Sequence, residues 1–159
     1  MPGFKNVFVS SLTEHTTVAK DQLGDIRWVG NKVYKYVQYK ATAIACVAGR
    51  MMGFFAPDGH KLNQVTMDTS DQEQAATLVG AGLSVVAIAT DSYGWIQIKG
   101  PATMSVVIVN GADGDPLGLV GATADVGDLD LHITAVSNSH ICAYAGDFSD
   151  KEIMLDCPF

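Results

Sequence analysis

The sequence predicts one all-β domain: a β-barrel or a β-sandwich of short antiparallel strands with at most one short helix. Three observations carry this prediction. Runs of β-branched and aromatic residues alternate with polar residues at the period of two that a half-buried strand requires. Clusters of Gly, Asn and Asp separate these runs at short intervals. Only one segment, beginning at Ser70, carries the signals of a helix N-terminus.

The chain has the length of a single domain and shows no linker, low-complexity segment or internal repeat. Residues 1–22 are predicted to form an N-terminal arm, and residues 23–159 the β domain. Two interpretations of the arm are open: its apolar cluster docks onto another chain, or a short strand over residues 6–10 completes the chain's own sheet. The apolar residues of this cluster are Phe4, Val7, Phe8 and Val9.

Residues 25–39 predict a β-hairpin, because Gly30-Asn31 is a two-residue turn signal between two strand-like runs. Tyrosines are frequent in the second run, and a tyrosine can bury its ring while its hydroxyl stays in water. They therefore suit either cross-strand packing or an interface. Alternation divides this run into one face with Val33, Lys35, Val37 and Tyr39 and another with Tyr34, Tyr36 and Gln38.

The middle of the chain predicts short elements joined by tight turns. Residues 50–56 and 61–68 are strand candidates on either side of a turn at Pro57-Asp58-Gly59. A capping box over residues 70–73, followed by an apolar run that stops at Gly80, predicts the one short helix. Residues 83–90 then predict an apolar strand, whereas residues 41–49 fit either a helical turn or a buried strand.

Residues 91–109, with the sequence DSYGWIQIKGPATMSVVIV, predict two successive antiparallel strands separated by a break at Gly100-Pro101. In the first, Ile96 and Ile98 share the face expected to point into the core. Tyr93 and Trp95 share the other face, where they either meet a neighbouring molecule or cover one end of the core. The second strand is expected to bury Met104, Val106 and Ile108, and short strands spaced by glycines continue to the C-terminus.

The composition disfavours nucleic-acid binding. The net charge is −7 and the sequence pI about 4.8, so the overall field repels a phosphate backbone. The basic residues of this region are better explained as protection of a strand edge against mispairing than as a nucleic-acid-binding face. They are Arg27, Lys32, Lys35 and Lys40. No apolar run is long enough to span a membrane. Only 17% of the residues are charged, which favours a surface partly covered by partners.

No catalytic or cofactor-binding motif is present. The chain lacks the nucleophile elbow, the dinucleotide-binding loop and the phosphate-binding loop, so we predict no catalytic residues and no cofactor. Three widely spaced cysteines do not form a disulfide framework. Cys46, Cys142 and Cys157 are therefore predicted to be small core residues of a protein from a reducing compartment.

Metal sites are disfavoured as well. His132 and His140 could meet across a hairpin to bind zinc, but a hydrogen-bonded surface histidine is the more common arrangement. The acidic residues of the C-terminal half do not have the spacing of a calcium loop, and turn formation explains them better. These acidic residues are Asp113, Asp115, Asp125, Asp128 and Asp130.

A family resemblance is carried by four stretches in a fixed order: GDIRWVGNKVYKYVQYKA, NQVTMDTSD, SYGWIQIKGPA and GADGDPLGL. The third contains the segment from Tyr93 to Gly100, and the fourth the turn Gly114-Asp115-Pro116-Leu117. Together they resemble the capsid decoration, or cement, proteins of tailed bacteriophages over residues 24–159. The residues before Gly24 and the C-terminal Cys-Pro-Phe depart from that pattern.

The resemblance implies a mostly β structural protein without catalytic residues, made in the host cytoplasm and located on the capsid surface of the virion. Its partners would be the phage major capsid protein and further copies of itself, as a homotrimer or, alternatively, a dimer. Such a protein clamps neighbouring capsid subunits against the pressure of the packaged DNA. The interface residues expected from the sequence are Phe4, Val7, Phe8, Val9, Tyr34, Tyr36, Tyr93 and Trp95.

Two other functions stay open. A carbohydrate-binding module on a virion surface would use Tyr93 and Trp95 as a platform for a sugar ring. A small β-barrel enzyme would need a cleft that holds His132 with Asp128 or Asp130.

Overall fold

A computed structural model describes residues 7–73, 79–119, 127–131 and 140–158. It is mostly β, with one short helix and a closed barrel, and confirms the predicted all-β class. The strands are β1 (Ile26–Val29), β2 (Lys32–Tyr39), β3 (Met51–Phe54), β4 (Gln64–Thr66), β5 (Gly80–Ser84), β6 (Tyr93–Thr103), β7 (Pro116–Leu119), β8 (Leu129–Leu131), β9 (Ile141–Asp147) and β10 (Glu152–Asp156); the helix α1 is Gly59–Leu62.

Two units share the long strand β6. The first is a barrel with strand order β2-β4-β3-β5-β6, closed because β6 also pairs with β2. Within the described residues, the parallel pair of the barrel is β2 with β4, and β1 extends the barrel by pairing with the first half of β2. The second unit is an antiparallel sheet with order β6-β10-β9-β7-β8. Strand β6 therefore belongs to both.

The hairpin predicted over residues 25–39 is confirmed. Strands β1 and β2 are antiparallel, and Val29 faces Lys32 across the two-residue turn. The first turn residue, Gly30, has a φ of 60°, a left-handed value that glycine adopts without strain.

The predicted break at Gly100-Pro101 is wrong, because β6 continues through it to Thr103. Gly100 has a φ of 92°, and a Cβ there would lie 2.2 Å from the carbonyl oxygen of Asn31 in the β1–β2 turn. The glycine thus lets β6 pass close to that turn as its pairing changes from β2 to β10. The second predicted strand does not form, although Met104 and Ile108 are buried as expected.

The middle of the chain also differs in part from the prediction. Strands β3 and β4 confirm the two predicted strands, but β5 ends at Ser84 rather than Thr90. The turn predicted at Pro57-Asp58-Gly59 forms over residues 56–58, and the short helix α1 begins at its last residue, Gly59. The predicted capping box gives only a 3₁₀ turn over Thr69–Asp71, whose N-cap Asp68 accepts a hydrogen bond from the Ser70 backbone N–H. The rest of that predicted helix lies largely outside the described residues.

The core fills the barrel and the space beneath the second sheet. Ile96 and Ile98 are fully buried there, as predicted. All three cysteines are free and buried, which confirms them as core residues. The prediction that Lys35 protects a strand edge is wrong. Lys35 is buried on the core face, with its Nζ 5.7 Å from the centroid of the Phe54 ring. Burial lowers the pKa of Lys35.

Gly100 and Gly114 provide a matched test of the close approach of β6 to the β1–β2 turn. Both have left-handed φ values, but a Cβ at Gly114 would meet nothing within 4 Å. We expect Gly114→Ala to cost about 1 kcal/mol of unfolding free energy, the cost of the backbone conformation alone. Gly100→Ala should cost roughly 3 kcal/mol or more, because it adds a clash with backbone. Urea unfolding measures both, and equal losses would contradict the packing described.

Candidate functional site

An aromatic face lies on the outside of the barrel, where β2 and β6 pair. Tyr36 is directly opposite Trp95 in the register, and Gln38 is opposite Tyr93. The ring centroids of Tyr36 and Trp95 are 5.1 Å apart, and the rings of Tyr36 and Tyr93 stack at 6.4 Å. Alternation explains the arrangement, because the same strands turn their aliphatic residues inward.

The N-terminal segment of the same chain, residues 7–23, covers this face. The ring of Phe8 meets Trp95 edge to face, with centroids 5.2 Å apart, and Leu12 and Leu23 pack beside it. The indole N–H of Trp95 donates a hydrogen bond to Ser10 Oγ over 2.9 Å. Tyr36 and Trp95 are completely buried as a result.

Backbone contacts also hold the segment. Thr16 and Tyr93 form an isolated antiparallel bridge, with N–H···O distances of 3.0 and 2.8 Å. The hydroxyl of Tyr36 accepts a hydrogen bond from the backbone N–H of Lys20. These bonds fix the course of the segment across the aromatic face without a regular strand.

The carboxylate of Asp21 clamps the start of the segment. It accepts hydrogen bonds from the backbone N–H groups of Val9 and Ser10, at 2.8 and 3.0 Å, and from the Ser10 hydroxyl. The guanidinium of Arg27 lies 5.5 Å from the Phe8 ring centroid and donates to the Ser10 carbonyl. Burial alone would raise the pKa of Asp21, but the hydrogen bonds from Ser10 and Val9 outweigh it and lower the pKa.

The structure distributes the expected interface residues over three environments. Phe4 lies outside the described residues. Val7 and Val9 of the covering segment are 84% and 69% exposed, whereas Phe8 of the same segment is partly buried against the aromatic face. Tyr34, Tyr36 and Trp95 are buried, so they reach a partner only if the segment leaves, whereas Tyr93 is half-buried and keeps part of its surface exposed. Whether any of them contacts another molecule stays a prediction.

Of the two open interpretations of the arm, the predicted strand is wrong where it is described: residues 7–10 form no strand, and their contacts are those of a layer that covers the chain's own aromatic face. Docking of the arm onto another chain stays a prediction. A sugar ring cannot stack on Trp95 while this layer is in place, because Trp95 is completely buried.

Sequence analysis gave no role to Trp28, which the structure leaves 67% exposed on β1. Among the described strands, β1 ends the sheet order and pairs with β2 alone, so no described strand pairs with its outer edge. The sequence Ile26-Arg27-Trp28-Val29 contains neither the Lys nor the Pro that commonly protects such an edge. A tryptophan in a strand-like run without Lys or Pro is the sequence signal that could have identified this exposed edge.

The described residues that line the surface hollows do not form an assembled catalytic group. One hollow of about 450 Å³ is lined by His140, Lys99, Asp156 and Cys157, but Lys99 and Asp156 form an ion pair. The neighbouring Cys142 thiol and burial raise the pKa of Cys157 well above its usual value, which makes it a poor nucleophile.

Of the carboxylates predicted to form turns, Asp113 lies in a turn, and Asp115 caps it by accepting a hydrogen bond from the Ala112 N–H at 2.8 Å. Asp113 also accepts from the Phe148 N–H at 2.9 Å, whereas Asp130 lies in strand β8 and not in a turn. His132 and Asp125 lie outside the described residues. Among the described side chains, no group of three His, Cys, Asp or Glu is arranged to hold a metal ion. Within the same part of the chain, no helix has the length and apolarity to cross a membrane.

Comparison of the chain with protein-family models, with curated proteins and with solved structures found no match.

The Asp21 clamp is tested by Asp21→Asn. The amide keeps the shape but removes a charge-assisted acceptor, a loss of about 1.5 to 3 kcal/mol. We expect amide hydrogen exchange at Val9 and Ser10 to accelerate about tenfold or more. Asp113→Asn is the matched control, because Asp113 also caps a backbone N–H but lies far from the segment in the second sheet; it should leave that exchange unchanged.

The pH dependence of docking follows from the same carboxylate. The lowered pKa of Asp21 means that its contribution is present at neutral pH and is lost as the pH falls below 3.8, its ordinary value. The wild-type protein should therefore release residues 9 and 10 at lower pH, whereas Asp21→Asn should lack this step. A step of equal size in both proteins would show that another group controls docking.

Proposed function

We propose that this protein decorates and stabilises the icosahedral head of a tailed bacteriophage by binding the outside of major capsid protein subunits. The observation that carries the proposal is the exposed apolar margin on strand β1, defined by Trp28 and Val29. The work of such a protein is adhesion, with no bond made or broken.

The edge of β1 suits an extended segment of a capsid subunit. Its unpaired backbone groups can accept an added strand, which supplies affinity through main-chain hydrogen bonds. Trp28 and Val29 add exposed apolar surface at the same edge. Tryptophan is the residue type most enriched among those that dominate binding energy.

The N-terminal segment adds two exposed apolar side chains, Val7 and Val9. Arg27 of β1 touches both Phe8 and Ser10, so the segment begins beside the edge strand, on the face opposite Trp28. The Asp21 clamp holds the backbone of residues 9 and 10, which presents the exposed Val9 in a fixed place. A fixed side chain loses less conformational entropy on binding than one on a free arm.

The charge of the chain is consistent with this role. A net charge of −7 disfavours binding to DNA, so the protein would not be diverted to the genome that the head encloses. The resemblance to decoration proteins adds the expectation of a homo-oligomer at the capsid surface of the virion.

Titration of the purified protein onto expanded heads that lack it tests the proposal. We expect saturable binding at a fixed stoichiometry. Trp28→Ala should weaken this binding at least tenfold, because it removes the central apolar side chain of the margin. Leu62→Ala is the matched control: Leu62 is similarly exposed, but on α1, and should leave binding unchanged.

Absence of saturable binding by the folded wild-type protein would contradict the proposed function. If Trp28→Ala and Leu62→Ala bind heads equally strongly, the capsid stays the proposed partner, but the margin on β1 is not the surface that binds it.

A further inference from the structure

Cys142 and Cys157 lie side by side at the open end of the β9–β10 hairpin, where β9 begins and β10 ends. The two strands are antiparallel, and Ala143 is opposite Leu155. Cys142 is one residue beyond that pair, and Cys157 is two residues beyond it on the other side. With strands about 4.8 Å apart and residues about 3.4 Å apart along a strand, the Cα atoms of the two cysteines are about 6 Å apart.

A β-bulge in β9 turns the Cys142 side chain into the core. The register between β7 and β9 shifts by one residue between Leu117 and Gly118, which leaves Cys142 as the extra residue of β9. Regular alternation would place Cys142 on the outer face, as it places Tyr144, which is 43% exposed. The bulge instead leaves Cys142 only 1% exposed.

Cys157 reaches the same part of the core from β10. Alternation turns Ile153 and Leu155 inward, and Cys157 continues that inward series. Met154, between them, stays exposed on the outer face. The Cys157 side chain is 1% exposed, and its backbone N–H donates a hydrogen bond to the Ile98 carbonyl oxygen at 3.0 Å. The backbone at both cysteines is therefore held by the sheet.

The two residues are in direct contact. The Cys157 thiol donates to the Cys142 carbonyl oxygen, with the sulfur and the oxygen 3.5 Å apart. The Cys142 thiol is the main cause of the raised pKa of Cys157, so the two thiols are neighbours as well. A disulfide requires Cα atoms about 4.4 to 6.8 Å apart and side chains on the same side, and this pair meets both requirements.

A hollow connects this pair with the surface. The hollow of about 450 Å³ beside the Lys99–Asp156 ion pair has Cys157 in its lining. Cys142 is not among the described residues that line it. A reagent that enters the hollow therefore meets the Cys157 sulfur first, with the Cys142 sulfur behind it.

We propose that Cys142 and Cys157 are a site of reversible oxidation, where a small-molecule disulfide converts the two thiols into one intramolecular disulfide. The Cys157 thiolate attacks a sulfur of the reagent, whose S–S bond breaks, and a mixed disulfide forms as the first small thiol leaves. The Cys142 thiolate then attacks the Cys157 sulfur, and the second small thiol leaves. The reagent gains the two electrons that the cysteines lose, and the two cysteine protons end on the released thiols.

The inference does not rest on capsid binding. The raised pKa of Cys157 leaves little thiolate at neutral pH, so the exchange is slow there. Once formed, the bond ties the start of β9 to the end of β10 and closes residues 142–157 into a loop. Such a loop stabilises the fold by restricting the unfolded chain.

Incubation of the purified protein with oxidised glutathione at mildly alkaline pH tests the site. Free thiols are then blocked in denaturant, and peptides are mapped by mass spectrometry. We expect a disulfide between Cys142 and Cys157 and a melting temperature raised by roughly 5 to 10 °C, which dithiothreitol reverses. The mapping uses the wild-type protein and does not depend on the folding of a variant.

Two variants test the roles of the individual cysteines. Cys142→Ser should stop at the mixed disulfide, with one glutathione on Cys157 and no increase in melting temperature. Cys46→Ser is the matched control, because Cys46 is also a buried free cysteine, but its thiol contacts the Val86 carbonyl oxygen. It should form the Cys142–Cys157 disulfide as the wild type does.

A wild-type protein that keeps both thiols free, or that accumulates the mixed disulfide on Cys157, would overturn the proposal. A disulfide that involves Cys46 or that joins two chains would overturn it too, because the contact between Cys142 and Cys157 would then not direct the oxidation.

Discussion

The pairing of β6 with β2 is the constraint on which the rest of the structure depends. Because these strands carry apolar side chains on both faces, both faces must be shielded from water. Ile96 and Ile98 turn inward and fill the barrel that the pairing closes. Trp95 and Tyr36 turn outward and are covered by the N-terminal segment. Beyond Gly100 the same strand begins the second sheet, so barrel, covering segment and sheet are all positioned by one element.

This double coverage has a consequence for function. Large aromatic rings in a sheet are usual candidates for an interface. Here the chain's own segment occupies the most aromatic face, and hydrogen bonds to Trp95 and Asp21 secure it. The exposed apolar surface therefore lies elsewhere, at the β1 edge and on the outer face of the second sheet. These two surfaces are on different units of the fold.

Local signals in the sequence predicted the parts of the fold that local physics determines. The Gly30-Asn31 turn and the alternation in β2 and β6 gave the hairpin and the correct inward and outward faces. Gly100-Pro101 gave the wrong prediction of a strand break. Glycine is required at position 100 because the carbonyl oxygen of Asn31, almost seventy residues earlier in the chain, leaves no room for a Cβ. Alternation also predicted that Tyr36 and Trp95 turn away from the aliphatic core face. Their covering by residues 7–23 depends on tertiary contacts that no period or motif encodes, and so does the exposure of Trp28.

The two tryptophans allow the most direct test of this division between covered and exposed aromatic surface. Trp28→Phe leaves Trp95 as the sole tryptophan, and Trp95→Phe leaves Trp28. Acrylamide quenching of fluorescence should be weak for Trp95, with blue-shifted emission, because Phe8 and Ser10 cover the indole. Quenching of Trp28 should be strong, with emission near that of tryptophan in water. Equally strong quenching of both would contradict the covering of the aromatic face and would return Trp95 to the set of residues that a partner can reach.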